Sequence, residues 1–318
     1  MKNSLTILSG NANRSLSGSI CKELGVPLGK SVIGRFPEGE IKVQLKENIR
    51  GRDIFIIQSM CTPVNDHLME LFCLIDAAKR ASAERITAVL PYYAYARQDR
   101  KDRPRVPITA KLIANLLVTA GANRILTMDL HAGQIQGFFD IPVDHLYSIK
   151  VLIGYLRSKK IKNLVVVTPD VGGIKMARAY SNMLKAPLAI IDKRREDEHS
   201  VKVMNLIGEV KDKNVILVDD LVSTGGSLVE AASALKKFGA HDIYAAVVHP
   251  VLAGPAAVRL KSSVIKEFIT SDTIPISNEK RSKKITVLSV APLLAEAIKR
   301  IHENTSVSSL FARASVEA

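Results

Sequence analysis

Val215-Ile216-Leu217-Val218-Asp219-Asp220-Leu221-Val222-Ser223-Thr224-Gly225-Gly226-Ser227 runs an apolar strand into two adjacent carboxylates, then a hydroxyl- and glycine-rich turn, then a stretch with helical spacing. Each part has a physical use. Gly225 and Gly226 let backbone N–H groups approach a phosphate closely, and the hydroxyls of Ser223, Thr224 and Ser227 add donors. The following helix contributes the positive end of its dipole. Asp219 and Asp220, one loop away, can accept hydrogen bonds from vicinal sugar hydroxyls or hold a divalent metal. An ordinary turn with an N-capping hydroxyl is the bland alternative; strand, paired acids, two glycines and helix in one run favour a cradle for a phosphorylated sugar. The Gly-Lys-Ser/Thr ending of a Walker A loop is absent.

On either side of this stretch, short apolar runs alternate with helix-like segments, the pattern of α/β folds with largely parallel sheets. Strands are expected at 53–58, 85–90, 124–128, 164–167, 188–191, 215–218 and 242–248. Helices are expected at 65–80, where Leu68, Leu71, Phe72 and Ile75 recur at helical spacing, and at 108–117, 174–184 and 227–238, the last closed by Gly239. At 318 residues the chain is long for one core, so two domains are expected, 1–147 and 148–318. A weak internal echo agrees: Thr87-Ala88-Val89-Leu90-Pro91 matches Val165-Val166-Val167-Thr168-Pro169, and Thr127-Met128-Asp129-Leu130 matches Leu217-Val218-Asp219-Asp220-Leu221. Chance similarity among βα units is the competing explanation.

Composition narrows the function classes. Apolar residues make up 47% but fall in short runs, none near the about 18 residues a membrane span needs. The apolar run at Leu5-Thr6-Ile7-Leu8 is too short for a signal-peptide core, and Cys21, Cys61 and Cys73 are too scattered for a disulfide framework or a zinc site. A soluble protein of a reducing cytoplasm is expected. The net charge of +14 fits a nucleic-acid surface or a set of sites for small anions, and the second is preferred.

In open α/β sheets ligands gather beyond the carboxyl ends of strands, and three further segments stand at such places. Ala186 to Arg195 runs a buried strand into Lys193, Arg194 and Arg195; Lys193 and Arg195 share a side if extended geometry persists, suiting charge stabilisation on transferring phosphoryl groups. Pro91 to Pro107 combines Tyr92, Tyr93 and Tyr95 with Arg97, Gln98, Arg100, Lys101, Arg103 and Arg105, and reads as a long exposed loop able to close over a nucleotide or, alternatively, to stack single-stranded RNA. Asp129, His131 and Asp170 follow strands and suit Mg²⁺ or Mn²⁺ bridging phosphates.

The loop at Asp219–Ser227 resembles the phosphoribosyl-diphosphate binding loop of the phosphoribosyltransferase fold, with Ser223 replacing that motif's third acid and Ser227 its final threonine. Together with Phe36-Pro37-Glu38-Gly39-Glu40, Tyr95-Ala96-Arg97-Gln98-Asp99-Arg100, Asp129-Leu130-His131-Ala132-Gly133-Gln134, Pro169-Asp170-Val171-Gly172-Gly173 and Asp192-Lys193-Arg194-Arg195, it resembles the phosphate-regulated bacterial class of the ribose-phosphate diphosphokinase family from Leu5 to about Phe311.

The resemblance implies an α/β fold of two similar phosphoribosyltransferase-type domains, each a largely parallel sheet flanked by helices, with a flexible loop at about 97–107. It implies transfer of the diphosphoryl group of ATP to the C1 hydroxyl of ribose 5-phosphate. Phe36, Glu38, Gly39, Glu40, Arg97 and Gln98 would hold ATP, His131 and Asp170 would meet Mg²⁺, and Lys193 with Arg195 would be catalytic. Arg195, Asp219, Asp220, Ser223, Thr224, Gly225, Gly226 and Ser227 would bind ribose 5-phosphate, the two acids at its hydroxyls and Ser223 to Ser227 at its phosphate. A homohexamer regulated by ADP and inorganic phosphate near Arg50, Ser82 and Ser306–Phe311 is further implied; neither a membrane nor a nucleic-acid partner is expected. A non-catalytic regulatory paralogue, invited by Ser223, and a phosphoribosyltransferase are the alternatives.

Overall fold

The computed structural model describes residues 4–194 and 203–310, arranged as two compact units. The first holds β1 (Leu5–Ser9), β2 (Ser31–Arg35), β3 (Ile41–Leu45), β4 (Asp53–Ile57), β5 (Arg85–Leu90), β6 (Arg124–Met128) and β7 (Val143–Leu146), with α1 (Arg14–Leu24), α2 (Val64–Arg80) and α3 (Thr109–Ala120). Its sheet is parallel in the order β1-β4-β5-β6-β7, and β2 and β3 form a separate antiparallel hairpin. Every residue of β4 is buried, as expected of a parallel strand covered on both faces. Alternation sorts its side chains: Ile54 and Ile56 join the core under α2 and α3, while Phe55 and Ile57 join the core under α1. Each such burial stabilises the fold by about 1.5–3 kcal/mol.

The second unit holds β8 (Leu164–Thr168), β9 (Leu188–Arg194), β10 (Val203–Ile207), β11 (Asn214–Val222), β12 (Ile243–Pro250), β13 (Ile265–Ser271) and β14 (Ile285–Leu288), with α4 (Ile149–Ser158), α5 (Ile174–Leu184), α6 (Gly226–Lys237) and α7 (Ala256–Ser262). Strand order is β10-β9-β8-β11-β12-β13-β14, parallel except for β9 against β10. Both units are therefore largely parallel sheets flanked by helices.

The chain does not divide once. Thr273–Pro275 and the segment from Val290 onward belong to the first unit, so α8 (Ala291–His302) packs there and not on the sheet it follows. Leu294, Ile298 and Ile301 of α8 share a core with Leu16, Ile20 and Leu126. The end of α8 is pinned to the start of β4: buried Asp53 accepts hydrogen bonds from Arg85 Nη2 at 2.5 Å and pairs with His302 Nδ1 at 2.8 Å. Conversely α4, which follows β7, belongs to the second unit.

This exchange corrects the internal echo. β8 is the first strand of its unit and lies between β9 and β11; its counterpart is β1, flanked by β4 and by a single parallel bridge from Ile7 to Leu28. The equivalent pairs are then β4 with β11, β5 with β12 and β6 with β13, whereas the echo matched β5 to β8 and β6 to β11. The better repeat is Ala88-Val89-Leu90-Pro91 with Ala246-Val247-Val248-His249-Pro250, and Thr127-Met128-Asp129 with Thr270-Ser271-Asp272, each at equivalent strand ends.

Candidate active site

In the second unit β8 is outrun by both of its neighbours. Its last pairings are Thr168 with Ile190 and Val167 with Leu217, but β9 continues to Arg194 and β11 to Val222. A notch results at the carboxyl end of β8, where chain order reverses between β9 and β11, the place where ligands bind in open α/β sheets. Lys193 lies on the β9 wall by backbone position, paired with Met204 of β10. Asp219 and Asp220 lie on the β11 wall, and Asp170 is on the floor.

The strand thus runs past its expected end at Val218 and includes both acids, because β12 extends as far and pairs through Asp219–Val247 and Leu221–His249. On the β8 side their backbone has no strand partner, and the carboxylates compensate locally: Asp219 Oδ1 accepts the N–H of Asp220 at 2.9 Å, and Asp220 Oδ1 that of Leu221 at 2.8 Å. Burial, then the charge of Asp220 and that of Asp170, push the Asp219 carboxyl well above its usual range. A group that crowds carboxylates this way fits a divalent cation, whose charge would relieve their repulsion. Among the described residues no three His, Cys, Asp or Glu side chains form a ready-made metal cluster.

Asp170 caps the turn below, its Oδ1 accepting the Gly173 N–H at 3.0 Å. Thr168 Oγ1 donates to the Asp170 carbonyl at 2.9 Å and fills the space a Gly173 side chain would need, since a Cβ there would lie 2.3 Å from that oxygen. Gly173 is therefore required by packing.

At the end of β11 the chain turns at Ser223 and Thr224 and starts α6, with Gly225 at its N-cap in left-handed conformation, φ +74°. Gly225 has no side chain to cap the helix, so the first-turn amides face the cradle uncapped by it. A second wall was missed by sequence reading. Leu252 N–H donates to Val222 O at 3.1 Å, Ala253 N–H to Ser223 O at 3.0 Å, and Arg259 Nη1 to Thr224 O at 3.1 Å. Residues 252–259 thus hold the cradle from behind. Only the Gly-Pro at 254–255 hinted at a turn there.

In the first unit, His131 is exposed just beyond β6. Its turn is held by β7: Asp129, at φ +41°, donates its N–H to Leu146 O at 2.9 Å, and Leu130 N–H donates to His145 Nε2 at 2.9 Å. Buried His145 is a second residue the sequence did not flag. Phe36 to Glu40 form the tip of the β2–β3 hairpin, closed by Phe36 N–H to Glu40 O at 2.9 Å, with Phe36, Glu38 and Glu40 exposed. Arg97 and Gln98 are exposed, and Gln98 Oε1 accepts from Thr109 Oγ1 at 2.5 Å.

The tyrosine segment is not the open loop expected. Tyr93 is buried, donates to Ala110 O at 2.9 Å and meets Phe139 edge-on; Ala94 and Ala96 are buried too. Tyr95 donates to Asn65 Oδ1 at 2.6 Å. Apolar ring area is worth more in the core than in water, so exposure starts only at Arg97 and no tyrosine platform for RNA exists. Arg195 lies outside the described residues, as do the Lys193 side chain and Phe311.

Family models for the N-terminal domain of ribose phosphate pyrophosphokinase and the phosphoribosyl synthetase-associated domain match residues 5–121 and 198–312. The chain is 56% identical to the ribose-phosphate pyrophosphokinase of Caldanaerobacter subterraneus subsp. tengcongensis, covering 97% of this chain and 98% of that one. It is 54% identical to that of Helicobacter pylori, covering 96% and 95%. The chain belongs to the ribose-phosphate pyrophosphokinase family. The crystal structure of phosphoribosylpyrophosphate synthetase from Mycobacterium smegmatis superimposes with a TM-score of 0.91 at 44% identity, over 95% of this chain and 100% of that one. As a ribose-phosphate pyrophosphokinase the protein is a diphosphotransferase of nucleotide biosynthesis, built on phosphoribosyltransferase-type units. Neither a regulatory paralogue nor a phosphoribosyltransferase is favoured by a match of this extent.

Proposed function

We propose that the notch of the second unit holds ribose 5-phosphate as acceptor, its phosphate in the cradle at Ser223 to Ser227 and its hydroxyls on Asp219 and Asp220. The observation that carries this reading is the notch itself: β9 and β11 outrun β8, so Lys193, Asp170 and the paired acids gather around one opening that leads to an uncapped helix start. ATP would lie against Arg97 and Gln98, with Phe36, Glu38, Gly39 and Glu40 supplied by a neighbouring copy, since that hairpin tip stands exposed on its own subunit.

In the reaction the C1 oxygen attacks the β-phosphorus in line; the bond from that phosphorus to the bridging oxygen breaks, and the bridging oxygen leaves with AMP. The hydroxyl proton passes to solvent. Lys193 and Arg195 would neutralise charge building on the transferred phosphoryl oxygens. Asp170 and His131 are the residues that would meet Mg²⁺, which would supply Lewis-acid charge to the polyphosphate. Asp219 and Asp220 orient the ribose so that C1 faces the β9 wall.

Further parts of the reading are a cytoplasmic homohexamer with inhibitory ADP and activating phosphate near Arg50, Ser82 and the 306–311 tail. Gly51 N–H donates to Ser82 O at 2.8 Å and Arg300 Nη1 to Ser309 Oγ at 2.6 Å, contacts that support a fixed surface at 50–51, at Ser82 and at Ser309.

The test is purified protein with ATP, ribose 5-phosphate and Mg²⁺. AMP and phosphoribosyl diphosphate should appear in equal amounts; ADP in place of AMP would overturn the reading. Within the cradle, Arg259→Leu removes the guanidinium that fixes the Thr224 carbonyl. It should raise the KM for ribose 5-phosphate about tenfold, the worth of one charge-assisted hydrogen bond, with kcat nearly unchanged and partial rescue by Arg259→Lys.

A further inference from the structure

The positive excess of the chain has a location. In a parallel α/β unit every strand start and helix end lie at one edge of the sheet, and in the second unit that edge is lined by lysine. Lys160 and Lys162 precede β8, Lys185 precedes β9, Lys211 precedes β11, and Lys236 and Lys237 precede β12. All six are exposed, and none is ion-paired with a carboxylate among the described residues. Paired lysines at this edge are Lys159 with Glu267, Lys213 with Glu209 and Lys266 with Asp242. Lys283 and Lys284 extend the row to β14.

Helix dipoles alone do not account for this. Basic residues are favourable at helix ends in both units. The corresponding edge of the first unit also has exposed lysines at helix ends, Lys22, Lys79 and Lys299, but its strand starts carry arginines matched to acids, Arg52 with Glu47, Arg85 with Asp53 and Arg124 with Asp144, where the second unit has Lys162, Lys211, Lys283 and Lys284. Nor does the row serve the substrates. It lies at the opposite end of the strands from the notch, and the nine residues of β11 separate the two by about 30 Å, some three Debye lengths at 0.1 M salt.

We propose that this lysine edge is a docking surface for single-stranded nucleic acid, bound through its phosphate backbone without sequence preference. From β9 to β14 the row crosses five strand spacings, about 24 Å, long enough to follow a few consecutive phosphates of an extended single strand. Lysine, a flexible point charge, suits backbone contact more than the bidentate reading of bases that arginine performs. Phe238, beside Lys237, is 39% exposed and offers a ring on which a base can stack. RNA and DNA present the same phosphodiester charge, so both are compared.

The experiment uses the full-length protein freed of nucleic acid, with fluorescein-labelled 20-mers of uridylate and of thymidylate read by anisotropy between 50 and 200 mM salt. Affinity should fall with salt at a log–log slope of about −0.7 per phosphate engaged. Lys211, Lys236 and Lys237 changed together to Gln should weaken binding about tenfold or more at 100 mM salt and flatten the slope, with pyrophosphokinase turnover retained as the sign of an intact fold. Lys22, Lys79 and Lys299 changed together to Gln remove equal charge from the first unit and should leave binding near the unaltered value. Equal losses in the two triple variants would overturn the proposal, as would no anisotropy change at 50 mM salt. Tighter binding to phosphatidylserine vesicles than to either oligonucleotide would overturn it in favour of a membrane surface. Tighter binding of one oligonucleotide supports the proposal and names the source.

Discussion

Lys193→Ala should leave an enzyme that still binds ribose 5-phosphate but turns over about 10²–10³-fold more slowly, the usual cost of deleting a preorganised charge at a developing anion. The reason is position. Lys193 lies on β9 beyond the last residue that β8 pairs, on the wall opposite Asp219 and Asp220. Phosphoryl transfer asks little of the protein except alignment and charge, and the backbone of this wall brings Lys193 to the notch. Ribose 5-phosphate affinity, measured by calorimetry, should change little because the cradle is on β11 and α6. Unchanged turnover would remove Lys193 from the reaction; a lost kcat with equally lost affinity would make it a binding residue.

Gly225→Val should raise the KM for ribose 5-phosphate by about 10–100-fold. Gly225 holds φ at +74°, a conformation that costs an L-residue about 1–2 kcal/mol and a β-branched one more. Its Cβ would meet Ala256 at 3.5 Å, ordinary contact for a methyl but no room for two more carbons. Each 1.36 kcal/mol lost from binding is about tenfold. The strain falls on the turn that aims the first amides of α6, so substrate affinity should suffer before global stability. Gly225→Ala should show the conformational part alone, with a smaller rise. Equal KM values for both variants and the unaltered enzyme would place the phosphate elsewhere.

Much of the fold was legible because buried parallel strands are short Val/Ile/Leu runs; β4, β5, β6, β8, β11 and β12 all read this way. The edges were not. β2, β10 and β14 carry polar or partly exposed residues and owe their conformation to a neighbour, while β3 alternates apolar and polar residues over only five positions, too short a run to stand out alone. Tyr93 misled for a related reason: a ring beside arginines looks exposed in one dimension, and only packing on Phe139 shows that it is core. His145, Arg259 and the wall at 252–259 act through single contacts to backbone atoms, which leave no motif.

By itself the sequence determined the chemistry of the cradle: glycine where φ is positive, hydroxyls beside it, two acids before it and a helix after. It also determined the family, because the residues around each strand end are kept as a set. Tertiary structure decided where those pieces meet. β11 runs on through the acids because β12 extends to pair with it, and the notch opens because β8 stops short of both neighbours, a difference of strand length invisible until the strands are side by side. Strand register and order also send α8 back to the first unit and line one edge of the second with lysine. Local sequence sets what each segment can bind, while long-range pairing sets which segments can bind together.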